Sequence, residues 1–173
     1  MDVHVRLDGT KLPIAFRLPL LVITNTPPVA EKTYRNLRYH ANRHPEAQFI
    51  AISHSTTQAT EDWVIAVGGE WDTQVIVDEG RSLYALWGLG ISNSWHVLSP
   101  WILYSVYKLG KSEGIWNRPT ESGSRWQTSG SWAVDGKGVV RWGGATKAAD
   151  EIPDFKGALL AVGIDPKKGA TQR

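Results

Sequence analysis

No cysteine occurs among the 173 residues, and that one absence removes disulfides, thiolate nucleophiles and thiolate metal ligands together. A large excess of one sign of charge is lacking as well. The 19 Lys and Arg against 17 Asp and Glu leave a net charge of +2, spread without the basic stripe that follows a phosphate backbone. Nucleic acid is therefore not an expected partner. Long apolar runs are missing: the nearest approach to the ~20 residues of a membrane span, Trp95 to Leu109, is interrupted by His96, Ser99, Pro100 and Lys108. Asp2, His4, Arg6 and Asp8 stand where a secretory leader would be apolar. The expectation is a cytoplasmic protein without membrane association. There is no Gly-rich phosphate loop, and of five histidines only His40 and His44 have helical i, i+4 spacing, with no evident carboxylate partner. Neither a metal nor an organic cofactor is expected.

What the chain has in excess is tryptophan, nine residues crowded between Trp63 and Trp142. Such rings fill gaps in a core or line an aromatic pocket, and the sequence leaves both uses open.

The length suits one domain, taken as residues 1–164 with a tail at 165–173. Val3 to Arg6 reads as a short edge strand. Leu18 to Thr24 is a continuous branched apolar run, the mark of a central strand covered on both faces. Thr26 is placed to cap a helix that starts at Pro27 and runs to about His44, with Ala30, Tyr34, Leu37 and Ala41 facing inward. Gln48 to Ser53 is a second buried strand, followed by Ser and Thr hydroxyls that cap a helix over about 58–67. Thr73 to Val77 is a third strand, and Gly80 to Leu89 a short helix. Trp95 to Gly110 reads as an apolar helix interrupted at Pro100, with a long loop from Lys111 to Gly130. Ser131 to Asp135 and Val139 to Trp142 form a hairpin, and Ala149 to Val162 a closing helix with Pro153 in its first turn.

This order predicts an α/β protein of thioredoxin-like fold, a central mixed sheet flanked by helices. From Phe49 onward the stretches FIAISHS (Phe49 to Ser55), VDEGRSLYALWGLG (Val77 to Gly90), WHVLSPW (Trp95 to Trp101) and GIWNRPTESGSRWQTSGSWAVDGKGVVRWGG (Gly114 to Gly144) resemble the peroxiredoxin-like AhpC/TSA proteins common in fungi and some bacteria. The resemblance implies a loop after the first buried strand that carries one or two cysteines, with a thiol at the start of the following helix. A helix N-terminus favours an anion and so lowers a thiol's pKa. In gapless register Pro27 falls at the first cysteine position and Ala30 at the second. Thiol peroxidase and disulfide-exchange chemistry are expected to be lost.

In an open α/β sheet the carboxyl ends of the strands form a crevice where ligands bind. Three segments are expected to meet there: Asn25 and Thr26 after the central strand, His54 after its neighbour, and Arg125, Gln127 and Ser129 before the hairpin. His54 has an ordinary pKa suited to proton transfer near neutrality, although a histidine at a strand end also serves as a structural hydrogen-bonding residue. Ser55 does not pair with it, since adjacent strand residues point to opposite faces. Arg118, Glu121 and Arg125 can order the long loop or orient an anionic group. The expected function is binding of an apolar or aromatic small molecule, with a cofactor-independent proton transfer, cyclisation or isomerisation in which His54 is the catalytic group and the other five residues contact substrate. The alternative is a non-catalytic protein-interaction module. A homodimer is compatible with either.

Overall fold

A computed structural model describes residues 18–23, 27–90, 127–148 and 150–168, together with helical positions at 104, 107, 108, 111 and 112. Strand β1 (Leu18–Ile23) is the branched apolar run, and its backbone is paired on both sides. Parallel to it runs β2 (Ala47–Ser53), in the register Leu18 opposite Ala47 to Ile23 opposite Ile52. Parallel to β2 in turn runs β3 (Thr73–Val77). On the other side of β1 lies antiparallel β4 (Gly130–Val134), which turns back into β5 (Val140–Ala145). The described sheet thus has the order β3-β2-β1-β4-β5. The expected strand at Val3 to Arg6 lies outside the described residues.

Alternation along β2 sorts the core into two faces. Phe49 and Ala51 join Ala133 of β4 beneath three helices: α1 (Pro27–Ala41), α2 (Thr57–Ala66) and α4 (Phe155–Ala161). Tyr34, Leu37 and Ala41 of α1, Val64 of α2, and Phe155, Ala158 and Leu159 of α4 complete that layer. Burying each of the larger side chains contributes roughly 1.5–3 kcal/mol. Ile50 and Ile52 point the other way, with Ile76 and Trp132, against the short α3 (Ser82–Leu86).

Helix α1 ends at Ala41, earlier than the expected His44. His44 precedes Pro45, which disfavours the helical conformation at the residue before it, so the chain closes in turns, with the Arg43 and His44 amides on the His40 carbonyl. Helix α2 is capped as its hydroxyls suggest, with Thr56 Oγ1 accepting from the Ala59 amide. Its exit is held from a distance: Arg38 of α1 donates to the carbonyls of Val67 (2.8 Å) and Gly69 (2.6 Å), its guanidinium lying against the rings of Tyr34 and Trp71.

Three further boundaries differ from expectation. Helix α3 is five residues long because Arg81 is left-handed (φ 59°) and cannot continue a helix from Gly80. Helix α4 starts at Phe155, with Asp154 capping the Gly157 amide, so Pro153 lies ahead of the helix. Lys111 and Ser112 are helical where a loop is expected to begin, and Ser112 Oγ donates back to the Lys108 carbonyl. The hairpin falls within a few residues of expectation. Asp135 accepts from the amides of Lys137 and Val139, and Gly138 supplies the positive φ of the turn.

Candidate functional site

Strand register brings the end of β1, the residue that follows β2 and the approach to β4 to one end of the sheet. Ile23 at the end of β1 faces Ile52 of β2 on one side and Gly130 of β4 on the other. His54 follows β2 by one residue, and Gln127 to Ser129 lead into β4. Asn25, Thr26 and Arg125 lie outside the described residues, as do Arg118 and Glu121. Pro27 is the first residue of α1, and Ala30 is buried in its first turn.

His54 is buried, 8% exposed. Its Nδ1 lies 3.3 Å from the hydroxyl of Tyr84, and the two rings meet edge to face with centroids 5.4 Å apart. Tyr84 is fully buried and donates to the Ile52 carbonyl at 3.2 Å. Burial, then the nearby Asp78 carboxylate, hold the phenol well above its usual pKa, with Arg81 opposing. It therefore stays a neutral donor at any physiological pH.

Tyr84 reaches this place because α3 is anchored at both ends. At the start, the buried Asp78 carboxylate accepts from the amides of Ser82 (2.9 Å), Leu83 (2.8 Å) and Tyr84 (3.1 Å). At the end, Gly88 takes a left-handed conformation that lets the Leu89 amide bond back to the Tyr84 carbonyl. Buried Gln127 donates to the carbonyls of Leu89 and Gly90, and the Thr128 amide also bonds to Gly90. Gln127, predicted to touch substrate, thus directs its amide nitrogen to the backbone beyond α3. Ser129 likewise shares a 2.8 Å hydroxyl contact with Thr146.

Beside this pair stands an aromatic wall. Buried Trp132 of β4 packs on half-buried Trp87 at a ring-centroid distance of 4.9 Å, in one cluster with Ile52, Tyr84 and Leu89. The sequence pattern places Tyr84 and Trp87 on the short helix expected after Val77 and gives Asp78 no role. An Asp just after a strand and ahead of Gly80 and Ser82 is the available signal, since Asp side chains accept from backbone amides at turns and helix starts. The i, i+4 pair His40 and His44 has its rings stacked at 6.2 Å. Among the described residues no group of three or more His, Asp or Glu is arranged to hold a metal. No helix among them is long and apolar enough to cross a membrane.

Three parallel strands, an antiparallel hairpin added across the central strand, and helices on both faces define a thioredoxin-like fold of the peroxiredoxin type. The model of the AhpC/TSA antioxidant enzyme family matches residues 36–147, and the chain belongs to that family. Nine chains of solved structures match it. One is a cysteine-to-serine mutant of peroxiredoxin 6 from Arenicola marina, with a TM-score of 0.53 and 11% identity over 84% of this chain. The match spans 60% of that peroxiredoxin's length. No curated protein matches. The family match begins within α1, so Pro27 and Ala30 precede it. Without cysteine, the chain has no thiol with which to reduce a peroxide.

Proposed function

We propose that this protein is a non-redox member of the AhpC/TSA family that binds an apolar or aromatic small molecule at the carboxyl end of its parallel strands. His54 serves as acid and base in a cofactor-independent proton transfer, cyclisation or isomerisation. The observation that carries the reading is the juxtaposition of a titratable imidazole, hydrogen-bonded to Tyr84, with the Trp87 and Trp132 wall. Apolar surface with a few placed polar groups is the usual composition of a small-molecule site. Asn25, Thr26 and Arg125 are the remaining proposed ligand contacts, while Gln127 and Ser129 tie the approach to β4 to Leu89, Gly90 and Thr146. Action in the cytoplasm is part of the same proposal.

The test is tryptophan fluorescence of the purified protein against a panel of aromatic and polyketide-like compounds, with hydrogen peroxide consumption followed alongside. Saturable quenching by one ligand class, diminished in Trp87→Phe and without peroxide turnover, is expected. A flat response across the panel would defeat the reading. It would leave the second one, a protein-docking module, which the exposure of Ile65 and Trp71 favours (74% and 69%).

A further inference from the structure

We propose that the corner where α2 gives way to β3 is a docking surface for a basic amphipathic segment of another protein, with Ile65 and Trp71 as the anchors and Glu61, Asp62, Glu70 and Asp72 as the rim. The inference does not rest on His54. Helix α2 leaves the carboxyl end of β2 and delivers the chain to the start of β3 at Thr73, which faces Phe49 near the start of β2. This corner therefore lies at the opposite end of the sheet from the meeting of strand ends.

The anchors are exposed yet ordered. Ile65 and Trp71 both present most of their surface to solvent, and Gly68 links them: its amide donates to the Ile65 carbonyl, and its carbonyl accepts from Trp71 Nε1 at 2.7 Å. Trp71 holds a left-handed backbone (φ 57°), a conformation disfavoured for a residue with a Cβ. The Arg38 guanidinium lies 5.5 Å from the centroid of its ring. The indole is thus fixed in place without being covered. A pre-ordered aromatic side chain is the usual centre of a binding hot spot, because little freedom is lost on contact.

The rim sets the chemistry of the partner. Between Arg43 and Arg81 the chain has seven Asp and Glu and no Lys or Arg. Four of the seven adjoin the anchors and are exposed. Glu61 and Asp62 precede Ile65 by four and three positions, the spacings that set side chains next to one another on a helix surface, and Glu70 and Asp72 flank Trp71. Among the described residues no ion pair engages any of the four. Arg38, the cation that reaches this corner, directs its guanidinium to the Val67 and Gly69 carbonyls instead. Such a field repels nucleic acid and anionic lipid and attracts Lys and Arg. Apolar anchors set within it call for a segment that carries cations beside apolar side chains, as a basic amphipathic helix does.

The test is an NMR titration of nitrogen-15-labelled protein with three synthetic helical peptides: one of Lys and Leu, one of Lys and Gln with the same charge, and one of Glu and Leu. The Lys–Leu peptide is expected to shift the amides of Ile65, Ala66, Gly68 and Glu70 to Asp72 together with the Trp71 indole, and to bind about tenfold more tightly than either of the others. Its affinity is expected to fall about tenfold in Trp71→Ala and in Ile65→Gln. Neutralising the rim as Glu61→Gln, Asp62→Asn, Glu70→Gln and Asp72→Asn together is expected to weaken binding and lower its salt dependence. No binding, shifts confined to other residues, or equal affinity for the Lys–Gln peptide would overturn the proposal. Should Trp71→Ala loosen the fold, Ile65→Gln, a change at an exposed helix position, decides in its place. His54 and the Trp87 and Trp132 wall take no part in this readout, so a flat small-molecule panel and an unresponsive α2 corner are separate failures.

Discussion

The ring of Trp132 lies back over Gly130, two residues earlier on the same strand, so that a Cβ at position 130 would collide with the ring edge and sit 2.9 Å from the Gly144 carbonyl oxygen. The bare backbone at Gly130 is what lets the indole fold down onto the sheet and meet Trp87. Gly130→Ala should therefore destabilise the fold by about 1–3 kcal/mol, the usual cost of overpacking, and shift tryptophan emission as Trp132 is displaced. Gly136→Ala, where an added Cβ meets nothing, is the matched control. Equal thermal melting of the two variants would show that the ring has room to move.

Acid should weaken the contact between α1 and α4. His40 stacks on Phe155 with centroids 5.4 Å apart, and burial first, then His44, Lys156 and Arg43, lower its pKa from 6.5 to about 4, with Asp154 opposing. Since the unfolded chain binds this proton more readily, stability is full above pH 6.5 and is lost as pH falls toward 4. The loss is at most about 3 kcal/mol. Denaturant melts across this range should show the decline, and His40→Phe should flatten it.

Asp78→Ala removes one acceptor from three amides and should cost about 1–3 kcal/mol. Hydrogen exchange should accelerate first at Ser82, Leu83 and Tyr84, and Tyr84 should lose its hold on His54. Asp78→Asn, which keeps one acceptor oxygen, should lie between. Unchanged protection at these amides in Asp78→Ala would show that packing alone holds α3.

A cysteine introduced at position 27 would stand at the first residue of a 15-residue helix. Its thiol should titrate below the ordinary value of about 8.5, because the helix start favours the thiolate. Alkylation of Pro27→Cys should therefore be faster near neutral pH than that of a surface control, Gly136→Cys. Equal rates would mean that this end of α1 no longer favours an anion.

The parts of the fold that could be read from residue order are those governed by neighbours in sequence. The branched run at Leu18 to Ile23, the Thr56 cap, the inward face of α1 at Tyr34, Leu37 and Ala41, and the hairpin around Asp135 all depend on local pattern. The start of α3 did not follow that rule, because helix-forming residues from Gly80 onward are overridden by the Asp78 carboxylate and the left-handed Arg81. The meeting of strand ends, with His54 just after β2, could also be read from the order of elements. The closest relationships at that place could not, since Tyr84 lies 30 positions from His54 and Gln127 lies 38 from Leu89. Side-chain bonds across such separations leave no periodicity to read.

The two-ended anchoring of α3 carries a kinetic consequence. Swinging this element away from the sheet breaks the Asp78 amide bonds at one end and the Gln127 carbonyl bonds at the other, so opening is a concerted and infrequent event. A ligand that reaches the tryptophan wall only after α3 moves would bind at an observed rate that levels off as its concentration rises, at the rate of opening itself. One that enters past a stationary α3 would bind ever faster with concentration. The shape of that curve reports whether this wall is a door or a fixed partition.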